Sequence, residues 1–326
     1  MKAVHAYEAM PIDELYRWFA GEAEPTSPVW ATLCRWIAET PTLTARLDAL
    51  PGRKRQPNLF LAAVRYLDGP TAPGPGFLDW VDGNWAAIEA TILARRTQTN
   101  EPGRLAVLAP ALASLPQPVA LLEIGSSAGL CLLPDRFRYR LPTTIADGAA
   151  AGPDAPVLDC RHDGDPPASP ADLRVTLRRG LDQHPLAADD PDDARWLRAL
   201  VWPGESDREE RLTAALPVAA ADPPTILTGS APDDLPPLFD DLPAGSTPVV
   251  MHSATLAYLA RPERDAVVAA VRNSGARWLS FEGPTVVTSL RGRTPPVAEP
   301  HFVLALDGEP LAVASPHGRW VRWLPR

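Results

Sequence analysis

The stretch "LLEIGSSAGL" at positions 121–130 decides the fold. One reading takes Gly125-Ser126-Ser127-Ala128-Gly129 as G-x-S-x-G, the elbow that presents a nucleophilic serine, here Ser127, in α/β-hydrolases. The other takes an apolar strand that ends beside an acid, Glu123, and a loop of small residues. Doubly wound proteins seat an adenine-containing cofactor in that way. A hydrolase builds several strands before its serine and supplies an oxyanion loop upstream. Here everything before residue 118 reads as helical, and no Gly-rich loop precedes the motif. The acid and histidine that the elbow needs would come from Asp222 or Asp233, then His252 or His301. Six histidines in a long chain make such matches cheap.

The cofactor reading accounts for more residues. "VALLEIG" is a continuous apolar run, as expected of a parallel strand buried on both faces. Its carboxyl end is then the switch point where crevice ligands bind. Gly125 and Gly129 let the backbone turn tightly, and Ser126, Ser127 and Ala128 leave room for a ligand. Glu123 is out of place in such a strand unless its carboxylate meets a cationic or hydroxyl group. A pyrophosphate avoids a neighbouring carboxylate, so the acid favours S-adenosylmethionine, with its ammonium, over NAD. Asp182, ending "LRVTLRRGLD", suits the paired ribose hydroxyls. Gly229, Ser230 and Ala231 in "TGSAPDDL" form a small loop beside which an adenine can lie. The plain alternative is that all three are ordinary strand-end turns; their recurrence at successive strand ends favours the cofactor.

Working outward, residues 1–117 read as an all-helical lid or substrate region. "PIDELYRWFAGEAE" spaces Leu15, Trp18 and Phe19 at helical intervals, and "SPVWATLCRWIAET" opens with Ser27 as N-cap and Pro28 at the first helical position. "EPGRLAVLAPALASL" reads as the last helix of the region, capped by Thr99 or Asn100. Residues 118–326 read as a Rossmann-like cofactor-binding domain. Its strands are "VALLEIG", "LRVTLRRGLD", "PTILTG", "TPVVMHS" and "RWLSFEG", with helices at "LCLLPDRF", "DDARWLRALVW", "DREERLTAAL", in the "ATLAYL" that follows "TPVVMHS", and at "PERDAVVAAVRNSG". A Pro-, Gly- and Asp-rich insertion at about 142–172 carries a hairpin near "PVLDC". The chain closes on antiparallel strands around "LDGEP". The fold class is therefore α/β, a doubly wound, mostly parallel sheet with a C-terminal antiparallel hairpin.

The bulk properties set limits. A formal net charge of −9 argues against nucleic-acid and membrane-surface partners. Three cysteines, Cys34, Cys131 and Cys160, make neither a disulfide framework nor a metal site. No apolar run approaches bilayer length, and the N-terminus lacks the apolar core of a secretory signal. The expectation is a cytoplasmic protein. His162 among the acids of "RHDGD" is too isolated for a metal ligand set.

"RTQTNEPGR", "LLEIGSSAGL", "DRFRY", "RRGLDQHPL", "DDARWLRALVWP", "VVMHSATLAYL" and "WLSFEG" resemble the blocks of a bacterial domain-of-unknown-function family. That family is similar to class I S-adenosylmethionine-dependent methyltransferases, and the resemblance spans most of the chain. It implies a methyltransferase-like enzyme acting on a small-molecule acceptor; a homodimer is a separate expectation, not one the resemblance carries. Two departures stand out. The loop is G-S-S-A-G in place of the usual G-x-G-x-G, and Glu123 and Asp182 lie much further apart than the customary ~20 residues. The second departure is attributed to the insertion.

Further residues gather near the same strand ends. Arg104 could hold a ligand carboxylate bidentately, with Asn100 beside it; the alternative is a helix cap with a solvent-facing arginine. His252 and Ser253 end the fourth strand. His252 is the first candidate for general base, against a buried histidine bonded to backbone. Tyr258 follows and could approach the same pocket or be core. Glu282 ends the fifth strand and could position an acceptor, or pair with Arg277 or Arg291. The function expected is methyl transfer from S-adenosylmethionine, with His252 or Glu282 removing the acceptor's proton. The alternatives are a serine hydrolase using Ser127 and a non-catalytic descendant that keeps the cleft.

Overall fold

A computed structural model describes residues 10–141 and 143–325. The first nine residues, read above as free of a secretory signal, and Pro142, the first position of the insertion, lie outside the described residues. Contacts divide the chain into two compact units. One comprises the described residues up to Thr99 together with Pro191–Glu210; the other comprises the described residues of 100–190 and 211–325.

The first unit is helical. It contains α1 (Ile12–Ala23), α2 (Pro28–Ala38), α3 (Pro41–Asp48), α4 (Pro57–Tyr66) and α5 (Pro75–Ala94). The start of α2 follows from its residues: Ser27 Oγ accepts from the Trp30 amide, and Pro28 occupies a position that needs no donor. Trp30, Leu33, Cys34 and Ile37 then recur on one buried face. The long helix α5 buries Phe77, Val81, Ile88 and Ile92. Its C-terminal carbonyls are taken by Lys54, whose Nζ reaches Ile92 O, Leu93 O and Arg95 O at 2.7–2.8 Å. Burial, reinforced by the Arg96 charge, pulls the Lys54 pKa down to about 8. The helix Pro191–Ala199 belongs to this unit and buries Trp196 and Leu197. Arg95 ties it down by pairing with Asp192 and Asp193, and Trp196 Nε1 donates to Arg96 O. Asp193 thus holds an internal pair, and Arg195 pairs with Asp68.

The second unit is built on a nine-stranded mixed sheet. In chain order its strands are β1 (Val119–Ile124), β5 (Arg161–Asp163), β6 (Val175–Asp182), β7 (Thr225–Thr228), β8 (Thr247–Ser253), β9 (Arg277–Glu282), β10 (Phe302–Leu306), β11 (Glu309–Ala314) and β12 (Trp320–Trp323). The spatial order is β5-β12-β11-β10-β9-β8-β1-β6-β7. The five strands from β7 to β9 are mutually parallel, β10 to β12 run antiparallel to their predecessors, and β5 lies parallel to β12 at the edge. β1 sits between β6 and β8 and is buried along its whole length. The β10–β11 turn is the "LDGEP" turn: Asp307 and Gly308 both have positive φ, 54° and 84°, the conformation that a two-residue hairpin requires.

Several expectations are corrected. The sheet is mixed and not doubly wound throughout. "LCLLPDRF" forms no α-helix; Leu130–Leu132 and Pro134–Arg136 are separate 3-10 turns. Pro134 cannot continue a helix begun at Leu130. Asn100 Oδ1 already holds the Leu130 amide, and Asp135 is drawn to Arg178 of β6 at 2.6 Å. No hairpin forms around "PVLDC". β2 (Arg138–Arg140), β3 (Ile145–Asp147) and β4 (Val157–Leu158) make a small separate sheet in the order β3-β2-β4, while β5 joins the main sheet. After β8 a 3-10 turn, Leu256–Tyr258, stands where a helix was expected; the helix proper is Arg261–Asn273.

Candidate functional site

The carboxyl ends of β1, β6, β8 and β9 bring together most of the residues singled out above. Glu123 lies one residue before the end of β1, in register with Gly180 of β6 and Met251 of β8. It is 2 % exposed, Oε2 is sealed from solvent, and among the described residues no donor reaches the carboxylate. Burial pushes its pKa well above the usual carboxylate value; the Arg104 charge opposes this and Asp182 adds to it.

The loop after β1 turns on Gly125 (φ 75°), Ser127 (φ 53°) and Gly129 (φ 72°). Asn100 clamps it from both sides: Nδ2 donates to Ser126 O and Oδ1 accepts from Leu130 N, each at 2.9 Å. Asn100 is therefore not a helix cap. That role falls to Glu101, which accepts from Gly103 N. Asp182 spends one oxygen on the Ser127 amide and the other on the His184 amide, both at 2.8 Å. The hydroxyls of Ser126 and Ser127 are buried without partners among the described residues. The third strand's loop is knitted to itself. Gly229 N donates to Asp182 O, and Ser230 N donates to Asp234 Oδ2. Ser230 Oγ accepts from Gln183. Ala231 follows, half-buried.

Arg104 is 3 % exposed, not solvent-facing. Its Nε donates to Pro316 O, and its Nη1 to Ser253 O and Ser253 Oγ, at 3.0–3.2 Å. Among the described residues no group takes Nη2. Ser253 is thereby an anchor for the arginine.

His252 is sealed. Trp278 Nε1 donates to its Nε2 at 3.0 Å, and its Nδ1 lies 2.8 Å from Glu282 Oε1. An indole N–H can only donate, so Nε2 carries no proton and the ring proton sits on Nδ1, directed at Glu282. The same Glu282 oxygen accepts from the Thr255 and Leu256 amides at 2.9 Å. Glu282 pairs with neither Arg277 nor Arg291; Arg277 bonds Asp307 and Arg291 bonds Thr285 O. Tyr258 is half exposed, and burial of its hydroxyl pushes its pKa up, with Arg104 opposing and Glu282 adding.

Two residues escaped the sequence reading. Thr255, just past β8, joins the ends of β9 and β1: Glu282 of β9 holds its amide, its hydroxyl donates to Ile124 O at the end of β1, and its side chain lies where a Cβ on Gly125 would be 2.4 Å away. Nothing in "HSATL" marks it. Gly180 is the second, since a Cβ there would meet Ser126 Oγ at 2.2 Å. A glycine inside a strand is a legible sign of such close approach.

The hydrolase constellation does not assemble. Ser127 has the positive φ of an elbow, but among the described residues its Oγ has no hydrogen bond, His252 has both nitrogens engaged, and the half-buried His301 lies against Glu299 O. Asp222 pairs with Arg136. Among the described residues no group of three or more His, Cys, Asp and Glu is arranged to hold a metal ion, the three cysteines are free and buried, and no helix is long and apolar enough to cross a membrane.

A family described as "uncharacterized protein conserved in bacteria (DUF2332)" matches residues 13–323. The chain belongs to this family. No curated protein matches it, and no solved structure does.

Proposed function

We propose that this DUF2332 member binds S-adenosylmethionine at the carboxyl ends of β1, β6 and β7 and is a methyltransferase-like enzyme for a small-molecule acceptor. The observation that carries the reading is Glu123, whose buried carboxyl group near the end of the central strand has no hydrogen bond among the described residues. An unsatisfied buried acid is costly unless a ligand supplies donors. The order β7-β6-β1-β8-β9, numbered by these five strands alone, is 3-2-1-4-5, which supports a Rossmann-like reading of the parallel half. Among the described residues a 3-10 turn, not an α-helix, follows the Gly125–Gly129 loop, so the helix N-terminus that binds anions in dinucleotide folds is lacking there, in keeping with a cationic ligand.

The donor set fits such a ligand. Glu123 would accept from its ammonium, and Arg104 would offer Nη2 to its carboxylate. Asp182 would accept from ribose hydroxyls through lone pairs that the Ser127 and His184 amides leave over. Gly125, Ser126, Ser127 and Gly129 would keep the loop low beneath it. Gly229, Ser230 and Ala231 would flank the adenine. When bound, the sulfonium supplies an activated methyl group. The chain's own part is to position and to exclude water. Tyr258, half exposed and close to Arg104 and Glu282, is the residue best disposed to meet an acceptor.

A second reading, a non-catalytic descendant that keeps the cleft, is favoured by one observation: His252 is committed to Glu282 and Trp278, and Glu282 to His252 and the Thr255 and Leu256 amides, so neither is free as a base. The test is calorimetric titration with S-adenosylmethionine and S-adenosylhomocysteine. Wild type should bind, and Glu123→Ala and Asp182→Ala should each weaken binding by about tenfold or more, roughly 1.4 kcal/mol. Unchanged affinity in both variants rejects the residue assignment, and no binding to wild type rejects the reading itself.

A further inference from the structure

We propose that Glu123 is stored as a neutral carboxylic acid in the free protein and ionises only against a cationic ligand, so that binding releases one proton. The choice of ligand rests on the cofactor reading above; the stored acid rests on geometry.

Three acids stand at the ends of neighbouring strands, and they are treated differently. Asp182 receives two backbone amides, and Glu282 receives two amides and the His252 ring proton. Among the described residues Glu123 receives nothing, although it is buried almost as deeply as Glu282. The groups that face it do not make up the deficit. Its in-register neighbours, Gly180 on β6 and Met251 on β8, carry no charge. Asp182, from the end of β6, repels a second negative charge. The Cys131 thiol, from the 3-10 turn after the loop, is itself pushed up by burial and then by Glu123. Arg104, just ahead of the helix Leu105–Ala113, is the one attractive charge, and its Nε and Nη1 are spent on Pro316 and Ser253. A carboxylate there would have lost nearly all its water, and at Oε2 all of it, without gaining a donor among the described residues, which disfavours the charged form.

An arriving ammonium reverses the balance by giving Glu123 a charged donor. The acid O–H then breaks, its proton leaves to solvent, and the carboxylate accepts an N–H from the ligand. Affinity for the cation should rise up to tenfold per pH unit while the free protein keeps the proton, and level off above that range.

Two measurements test this. Infrared difference spectra of ligand-free wild type against Glu123→Gln should show one carboxylic acid C=O band that the variant lacks. Calorimetry with S-adenosylmethionine, in two buffers of different ionisation enthalpy at about pH 6.5, where an α-amino group with an ordinary pKa near 8 stays charged, should show one proton released. Glu123→Gln should release none, and neutral adenosine should release none from wild type. A wild type without the acid band, or one that binds the cation with no proton release, overturns the proposal. An acid band in a protein that does not bind S-adenosylmethionine upholds the stored acid and rejects the cofactor reading.

Discussion

Gly125→Ala probes the joint between the β1 loop and the turn after β8. Gly125 has φ 75°, and a Cβ there would lie 2.4 Å from Thr255 Cγ2 and Oγ1 and 3.0 Å from Thr255 Cβ. The left-handed backbone alone costs an L-residue about 1–2 kcal/mol. Forcing a methyl into filled space adds about 1–3 kcal/mol, because Thr255 is pinned by the bond from its hydroxyl to Ile124 O and from its amide to Glu282. The expected loss is therefore about 2–5 kcal/mol for the sheet unit. Repeating the substitution in a Thr255→Ala background separates the two causes. Without Oγ1 and Cγ2 the steric part largely disappears, and the cost of Gly125→Ala should fall to about 1–2 kcal/mol. Hydrogen exchange in graded urea, read on peptides from β1 and β8, gives the unfolding free energy of this unit separately from the helical one. A coupling between the two positions below about 0.5 kcal/mol would refute the contact as the cause.

His252→Leu should cost the sheet unit about 2–4 kcal/mol, since it strips a donor from Glu282 and the acceptor from Trp278 Nε1. His252→Asn, which can keep a donor near the Nδ1 position, should preserve amide protection at Thr255 and Leu256 that the leucine variant loses. Equal exchange in the two variants would contradict the Nδ1–H assignment. Lys54→Met should lower the stability of the helical unit by about 1–3 kcal/mol, because three carbonyls at the end of α5 lose their shared donor. Thermal unfolding followed on α5 peptides checks it, and an unchanged midpoint counts against the cap.

What the sequence made legible was local. Ser27 and Pro28 announce α2, "LDGEP" announces its hairpin, and the apolar run of "VALLEI" announces a strand buried on both faces, because each depends on residues within a few positions. The corrected parts depend on distant partners. Arg161–Asp163 becomes an edge strand only because Trp320–Arg322 lies beside it, and no periodicity in either segment reports that pairing. Residues 191–210 belong with the helices because Arg95 and Tyr66 hold Asp192. The missing helix after Gly129 was half legible: Pro134 was in view, while the pull of Arg178 on Asp135 was not. Thr255 was illegible altogether, since its importance lies in what Gly125 lacks.

Glu123 and His252 show the limit most clearly. In sequence both are polar residues near the end of an apolar strand, equally suited to chemistry or to structure. The discriminating property is the number of partners supplied by the fold. His252 has two, so its burial is offset within the protein and needs no ligand to explain it. Among the described residues Glu123 has none, so its burial is left uncompensated there. A position that breaks the rule of its own strand, and that the surrounding fold does not repair, is where a ligand has the most free energy to contribute.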